Sequence, residues 1–275
     1  MNTTTLSADG QSALVVHHFG AHVTSWKNAA GREMIYTSPT AIYDGSKAIR
    51  GGIPVCFPQF AKKGPLRQHG FARNMIWSLD QAFEQKSGAA ARLVLADTDE
   101  TRNSEWPHSF QLALIITLAS DGNSIALDMS VTNKNTNGEA FSFTMALHSY
   151  FTCDPQITTL HGFDGLSYED NTETNLASKI KSQAGKVGFG KEVDRVYFDA
   201  PDRIDLSTAN LAIYKKNMPE AVVWNPHVEK AAALSDMPDD GWKHFLCIEP
   251  ARVATPAVVE PNNFWTCSLE LKSVI

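Results

Sequence analysis

Apolar residues recur at every second position in run after run of this chain, and that spacing constrains the fold more than any other feature. In Ile125–Val131 the apolar set is Ile125, Leu127, Met129 and Val131, with Asp128 and Ser130 between them. Successive side chains of an extended strand point to opposite faces, so such a run has one face for a core and one for water. Phe110–Leu118 and Trp265–Leu271 repeat the pattern. Further strands are expected at Ala13–His18, Ala21–Trp26, Asn74–Ala82, Ala91–Ala96, Leu211–Lys215 and Ala221–Trp224. Pairs such as Asp121-Gly122 and Asn137-Gly138 supply hairpin turns between some of them. Helical signal is thin: two turns over His227–Leu234 and one near Thr101–Glu105.

There is no internal repeat, low-complexity tract or Pro/Ser-rich linker. Many strands with few helices predict an all-β chain, a large antiparallel β-sandwich or barrel. At 275 residues, one domain spanning 1–275 is long but within the range of such folds. One segment breaks the pattern. Arg50–Gln68 carries Gly51, Gly52, Pro54, Pro58, Gly64 and Pro65, which excludes a long regular strand or helix there. Long irregular loops in compact β domains usually carry function.

The net charge of −6 gives no overall basic footprint, so neither nucleic acid nor an anionic membrane is an expected partner. The start of the chain has no basic, apolar leader, and its longest apolar stretch, near Leu112–Leu118, is too short to span a bilayer. Cys56, Cys153, Cys247 and Cys267 are scattered without CxxC pairing, as free thiols in a reducing cytoplasm would be.

An acidic chain that binds an anion must concentrate its positive groups locally. Arg50, Arg67 and Arg73 fall within one glycine- and proline-rich loop system, together with Gln68 and His69. Guanidinium forks match phosphate or carboxylate oxygens, although these arginines could equally pair with the chain's own acids. In Ala140–Phe151 the apolar face is Phe141, Phe143, Met145 and Leu147, which leaves His148 at a strand end beside the small or polar Ser142, Thr144 and Ala146. Glu249 follows four largely apolar residues and precedes Pro250, so burial should raise its pKa. Asp194 alternates with apolar neighbours and is a weaker candidate. His17, His18 and His22 lack acidic or cysteine partners at ligand spacing and are read as structural, so no metal site is expected. There is no GxGxxG, P-loop lysine or GxSxG motif.

Taken in order, Ile49–Gln59 (IRGGIPVCFPQ), Gln68–Arg73 (QHGFAR), His148–Phe151 (HSYF), Val193–Tyr197 (VDRVY), Val222–Pro226 (VVWNP) and Cys247–Pro250 (CIEP) resemble the glucose-6-phosphate 1-epimerases of the galactose-mutarotase-like superfamily. Gly20–Trp26 is similar to the opening strand pair of that family, and the likeness spans the chain. The resemblance implies a β-supersandwich that interconverts anomers of an aldohexose 6-phosphate without a cofactor. It further implies a small sugar phosphate as the partner of a monomer. Under it, His148 falls on the general acid, Glu249 on the general base, and Arg50, Gln68, Arg73 and Asp194 on substrate-binding positions. Arg67 and His69 are additional candidates. Three departures stand out: Arg67 where proline is usual, Ala61 where glycine is usual, and Pro261-Asn262 in place of Pro-Gly. A non-catalytic sugar-phosphate module on the same fold, and a glycoside hydrolase using Asp194 and Glu249, are the alternative readings.

Overall fold

The computed structural model describes residues 2–8, 10–85 and 88–274. Its strands form three antiparallel sheets. A seven-stranded sheet runs, in spatial order, Arg203–Leu206, Leu211–Lys216, Phe264–Ser273, Ser124–Asn133, Phe110–Ala119, Gly88–Ala96 and Ser78–Gln85. An eight-stranded sheet runs Ile180–Ser182, Ser167–Asp170, Val193–Tyr197, Glu220–Asn225, Phe245–Val259, Phe141–Leu147 and Val55–Cys56, with Tyr150–Thr152 also paired to Phe245–Val259. A three-stranded sheet of Thr3–Ser7, Ala13–His17 and His22–Lys27 completes the fold.

Period-two alternation explains the layering. Ile125, Leu127, Met129 and Val131 face inward with Leu112, Leu114, Leu269 and Leu271 of the neighbouring strands. From the eight-stranded sheet, Phe143, Met145, Leu147, Val223, Leu246 and Ile248 meet them in one continuous core. Each such side chain contributes about 1.5–3 kcal/mol on leaving water. Leu14, Val16, Val23 and Trp26 of the small sheet join the same core. The fold is therefore the expected antiparallel β-sandwich.

The expected strand Asn74–Ala82 begins later than its pattern suggests: Ala72–Asn74 is a 3-10 turn and the strand is Ser78–Gln85. The turn is held by the Trp77 indole donating to the Ala72 carbonyl at 3.0 Å. His227–Ala232 is helical, as expected, and the short helix expected near Thr101 is Asp99–Arg102, closed by a reciprocal cap between Thr98 and Thr101. Among the described residues no helix is long and apolar enough to cross a membrane.

The loop system after Ile49 is irregular except for Val55–Cys56, which pairs with Ala146 and Leu147. It is also pinned at three further points. The Pro54 carbonyl accepts from the His148 amide at 3.0 Å, the Pro58 carbonyl accepts from the Thr144 amide at 2.9 Å, and the Phe60 amide donates to Thr144 Oγ1 at 2.8 Å. Gly52 has φ +70°, and a Cβ there would lie 2.3 Å from His22 Nε2 and 2.4 Å from the Val23 carbonyl. Only glycine permits this approach. The loop thus runs along the strand that ends beside His148.

Candidate active site

The second face of the eight-stranded sheet carries the polar residues. Asp194 lies opposite Trp224, and Trp224 lies opposite Cys247 on the next strand. Two residues on from Cys247 comes Glu249, and Ala251 lies opposite Ala146, two residues before His148. Side chains on one strand share a face at this spacing. Asp194, Glu249 and His148 are therefore brought over one surface, although about 100 residues separate the last two. That surface and the loop system enclose a cavity of about 640 Å³. Every residue singled out in the sequence lines it: Arg50, Arg67, Gln68, His69, Arg73, His148, Asp194 and Glu249.

At the floor, His148 Nδ1 is 3.2 Å from Glu249 Oε1. The contact lacks hydrogen-bond alignment, and His148 Nδ1 and Glu249 Oε2 are both buried without a hydrogen-bond partner among the described residues. Glu249 is 1% exposed and His148 8%. Burial pushes the Glu249 carboxyl well above the usual carboxylate range, with Asp194 adding to the rise and Arg73 opposing it. Burial likewise pushes His148 well below the usual imidazole value, assisted by His69, Arg73 and Arg50. With one partner raised and the other lowered, the two groups hold a single proton between them over a wide pH range. A protonated Glu249 beside neutral His148, and an ionised Glu249 beside charged His148, are two placements of that proton.

Aromatic rings fix the imidazole. Tyr150 stacks on His148 with centroids 4.9 Å apart and planes 7° apart, and Trp224 meets both rings edge-on. Asp194 accepts from Asn171 Nδ2 at 2.8 Å, and its carboxyl is raised by burial despite that bond. His69 Nδ1 accepts from the Ala61 amide at 3.3 Å and lies 3.2 Å from Cys56 Sγ. Burial and the nearby arginines lower His69 to about 3, so it stays neutral. Burial raises Cys56 to about 12, which keeps a thiol proton to donate. The His69 Nε2–H is then left free to donate, since the Gln68 atom 3.4 Å away is its amide nitrogen, itself a donor.

The rim is basic. Eight lysines and arginines line the cavity against three carboxylates, in a chain of net charge −6. Some are already engaged. Arg50 Nε donates to Asp236 at 3.1 Å and its NH1 to the Tyr150 hydroxyl at 3.4 Å. Lys63 and Lys179 both pair with Glu169. Lys62, Arg67 and Arg73 have no carboxylate within 4.0 Å among the described residues. Arg73 NH2 donates to the Gln68 carbonyl at 3.1 Å, while its Nε is buried and unpartnered. The three arginines are thus not equivalent.

Sequence reasoning passed over several lining residues. Asn74 has both amide atoms buried without partners and follows Arg73 in the same turn. Its place in an expected strand hid it. Lys47, Lys62, Lys63 and Lys179 come from three separate loops or turns and Lys230 from the helix His227–Ala232, and no local spacing connects them. Two of the histidines near the start of the chain hold local structure together. His22 Nε2 donates to the Gly51 carbonyl at 2.8 Å, and burial lowers its pKa to about 3. His18 Nε2 pairs with Thr4 Oγ1 at 2.9 Å.

The site is thus a buried imidazole and carboxylate above one sheet of an antiparallel sandwich, inside a polar cavity. The sequence profile of the aldose 1-epimerase family matches residues 2–272, and the chain belongs to that family. It is thereby an isomerase of the mutarotase group. A Cenchrus ciliaris protein described as "Putative glucose-6-phosphate 1-epimerase" is 37% identical over 94% of this chain and 80% of its own length. An Escherichia coli protein of the same description is 33% identical over 84% of this chain and 77% of its own. Among solved structures, one titled "putative mutarotase" from Salmonella typhimurium superposes with a TM-score of 0.84 at 26% identity, covering 97% of this chain and 88% of that one. The Slr1438 protein of Synechocystis superposes at 0.81 with 24% identity, over 100% and 96% of the two chains.

Proposed function

We propose that the chain interconverts the α and β anomers of an aldohexose 6-phosphate, with glucose 6-phosphate the expected substrate, by acid–base ring opening and reclosure and without a cofactor. The observation that carries this reading is the His148–Glu249 pair at the floor of a basic-rimmed cavity. Names of the relatives agree with it, since two of them are described by the same activity.

Opening a pyranose ring needs a proton taken from the C1 hydroxyl and one given to the ring oxygen. Glu249 as carboxylate takes the first and His148 as imidazolium gives the second. Afterwards Glu249 is protonated and His148 neutral. These are the two placements of one shared proton described above, so the pair ends the step with the proton count it began with. Burial favours the neutral placement, which is the one left after opening. Rotation about C1–C2 and reclosure on the other face run the exchange backward. Each positioned acid or base contributes roughly 10²–10⁴-fold.

The remaining residues suit orientation. Arg73, with an unpartnered Nε, and Arg67, without an acid partner, are suited to a phosphate dianion. Arg50, already tied to Asp236 and Tyr150, would add positive potential more than a free fork. Asp194, Gln68, Asn74 and the free His69 Nε2–H offer polar atoms for sugar hydroxyls. Trp224 and Tyr150 wall one side.

Saturation-transfer NMR on glucose 6-phosphate tests the proposal. Anomer exchange should rise in proportion to protein and exceed the rate in buffer. Exchange at the buffer rate at every protein concentration would end it.

A further inference from the structure

Cys247 lies under the catalytic candidates and has no part in the acid–base scheme. It sits two residues before Glu249 on the same strand face, opposite Trp224, and is fully buried. Its Sγ, a ring nitrogen of His148 and a carboxylate oxygen of Glu249 all lie within 4.8 Å of one another. Imidazole, thiolate and carboxylate are the donors that divalent zinc takes, at about 2.0–2.3 Å in tetrahedral geometry, so ligands on one ion stand roughly 3.3–3.8 Å apart. The widest of these separations must therefore shorten by about 1 Å for the trio to share one ion. The donors are also available. His148 Nδ1 and Glu249 Oε2 are buried with no hydrogen-bond partner among the described residues, and both residues line the cavity through which an ion would enter.

We propose that a thiophilic divalent cation, Zn²⁺ or Cd²⁺, binds to His148, Cys247 and Glu249, with water or a substrate hydroxyl as fourth ligand, and that this occupancy switches the isomerase off. The inhibitory part rests on the acid–base roles proposed above; the binding part does not. The ion takes the lone pairs that would otherwise accept and donate protons at the sugar. Binding displaces the Cys247 thiol proton and the proton shared by His148 and Glu249, so two protons leave per ion bound. Cys247 then explains why a pair built for proton transfer would also be sensitive to metal.

Full-length protein free of chelator is titrated with Cd²⁺, following thiolate-to-metal charge-transfer absorption, and with Zn²⁺ against a chromogenic chelator. One equivalent is expected, with anomer exchange of glucose 6-phosphate lost in parallel and restored by EDTA. Cys247→Ala should keep its exchange rate without metal, lose the absorption band, and bind Zn²⁺ at least about 100-fold more weakly, beyond what loss of an outer-shell partner costs. Should that variant fail to fold, Cys247→Ser keeps the side-chain volume and carries the same expectation for the band. Cys56→Ala should leave the band intact, since Cys56 faces His69 instead. An undiminished band or Zn²⁺ affinity in the Cys247 variants overturns the site. A chain that binds the ion through Cys247 but shows no anomer exchange sinks the proposed isomerisation and leaves the metal site standing.

Discussion

Neighbouring residues of the strand Phe245–Val259 meet opposite demands. Leu246 and Ile248 point into the main core, while on the other face Glu249 lines the cavity and Cys247 packs beneath it with Tyr150 and Trp224. Exposure does not distinguish them: Ile248 is 0% exposed and Glu249 1%. What differs is the sign of the burial energy. Ile248 gains by leaving water, whereas an ionisable side chain without a hydrogen-bonded partner loses. One face of the sheet therefore stabilises the fold, and the other holds ionisable groups at a cost in stability.

The largest expected effect comes from Glu249→Gln, which keeps the shape and removes the base. Anomer exchange should fall by about 10²–10⁴-fold. Stability should move the other way with pH. Because the folded carboxyl keeps its proton after the unfolded one has lost it, the folded state binds more protons above pH 4.5, and the wild type loses stability as pH rises from there. Glutamine has no such loss. Denaturant midpoints of the two proteins should diverge from pH 4.5 to 8, the variant becoming relatively more stable. A variant that loses activity but is destabilised equally at both pH values would mean that Glu249 is held ionised by partners, contrary to the burial described.

Ile248→Ala turns the comparison round. It should cost about 2–5 kcal/mol in unfolding free energy, because the site behind it is closely packed. The exchange rate per folded molecule should stay near the wild-type value. A large fall in that rate, measured well below the thermal midpoint, would show that the two faces are mechanically coupled.

Within the cavity, Arg73 and Arg50 form a smaller comparison of the same kind. Arg73 has an unpartnered Nε; Arg50 is bound to Asp236 and Tyr150. Arg73→Ala should raise KM for a hexose 6-phosphate by about 10–100-fold, matching a charged hydrogen bond of about 1.5–3 kcal/mol. The free hexose should be little affected. Equal losses for both sugars would remove Arg73 from the phosphate.

The core face was legible almost entirely in the sequence, because a period of two survives any number of intervening loops. Phe141, Phe143, Met145 and Leu147 are all buried, as their spacing required. The strand that carries Glu249 was less legible. Phe245–Val259 contains Pro250 and Pro256, residues that ordinarily argue against a long strand, and its register slips between Arg252 and Ala257. Individual site residues were visible as oddities, such as a carboxylate in an apolar run. Their convergence was visible only through likeness to a family, since no local rule joins His148 to Glu249 or gathers Lys62, Lys179 and Lys230 at one rim. Asn74 escaped because a turn stabilised from Trp77 overrode its strand-like context.

The smallest expected effect concerns two departures from the family pattern, and it separates strain near the site from strain far from it. Ala61 has φ +50° and Asn262 has φ +60°, both in the left-handed region where glycine is at ease. The usual glycines at these positions now have a physical cause. Asn262 lies in the hairpin before Phe264–Ser273, remote from the cavity, and asparagine tolerates this conformation, so Asn262→Gly should change stability little. Alanine does not tolerate it, at about 1–2 kcal/mol. Ala61→Gly recovers that cost less about 0.4–1 kcal/mol for the freer unfolded chain, a net gain of about 0–1.6 kcal/mol. Its backbone amide and carbonyl serve His69 Nδ1 and Gln59 Nε2 in either variant, so binding should hold only if those bonds alone fix the basic loop. A stability gain accompanied by a raised KM would mean instead that the methyl at Ala61 helps to keep Arg67 and Gln68 in place.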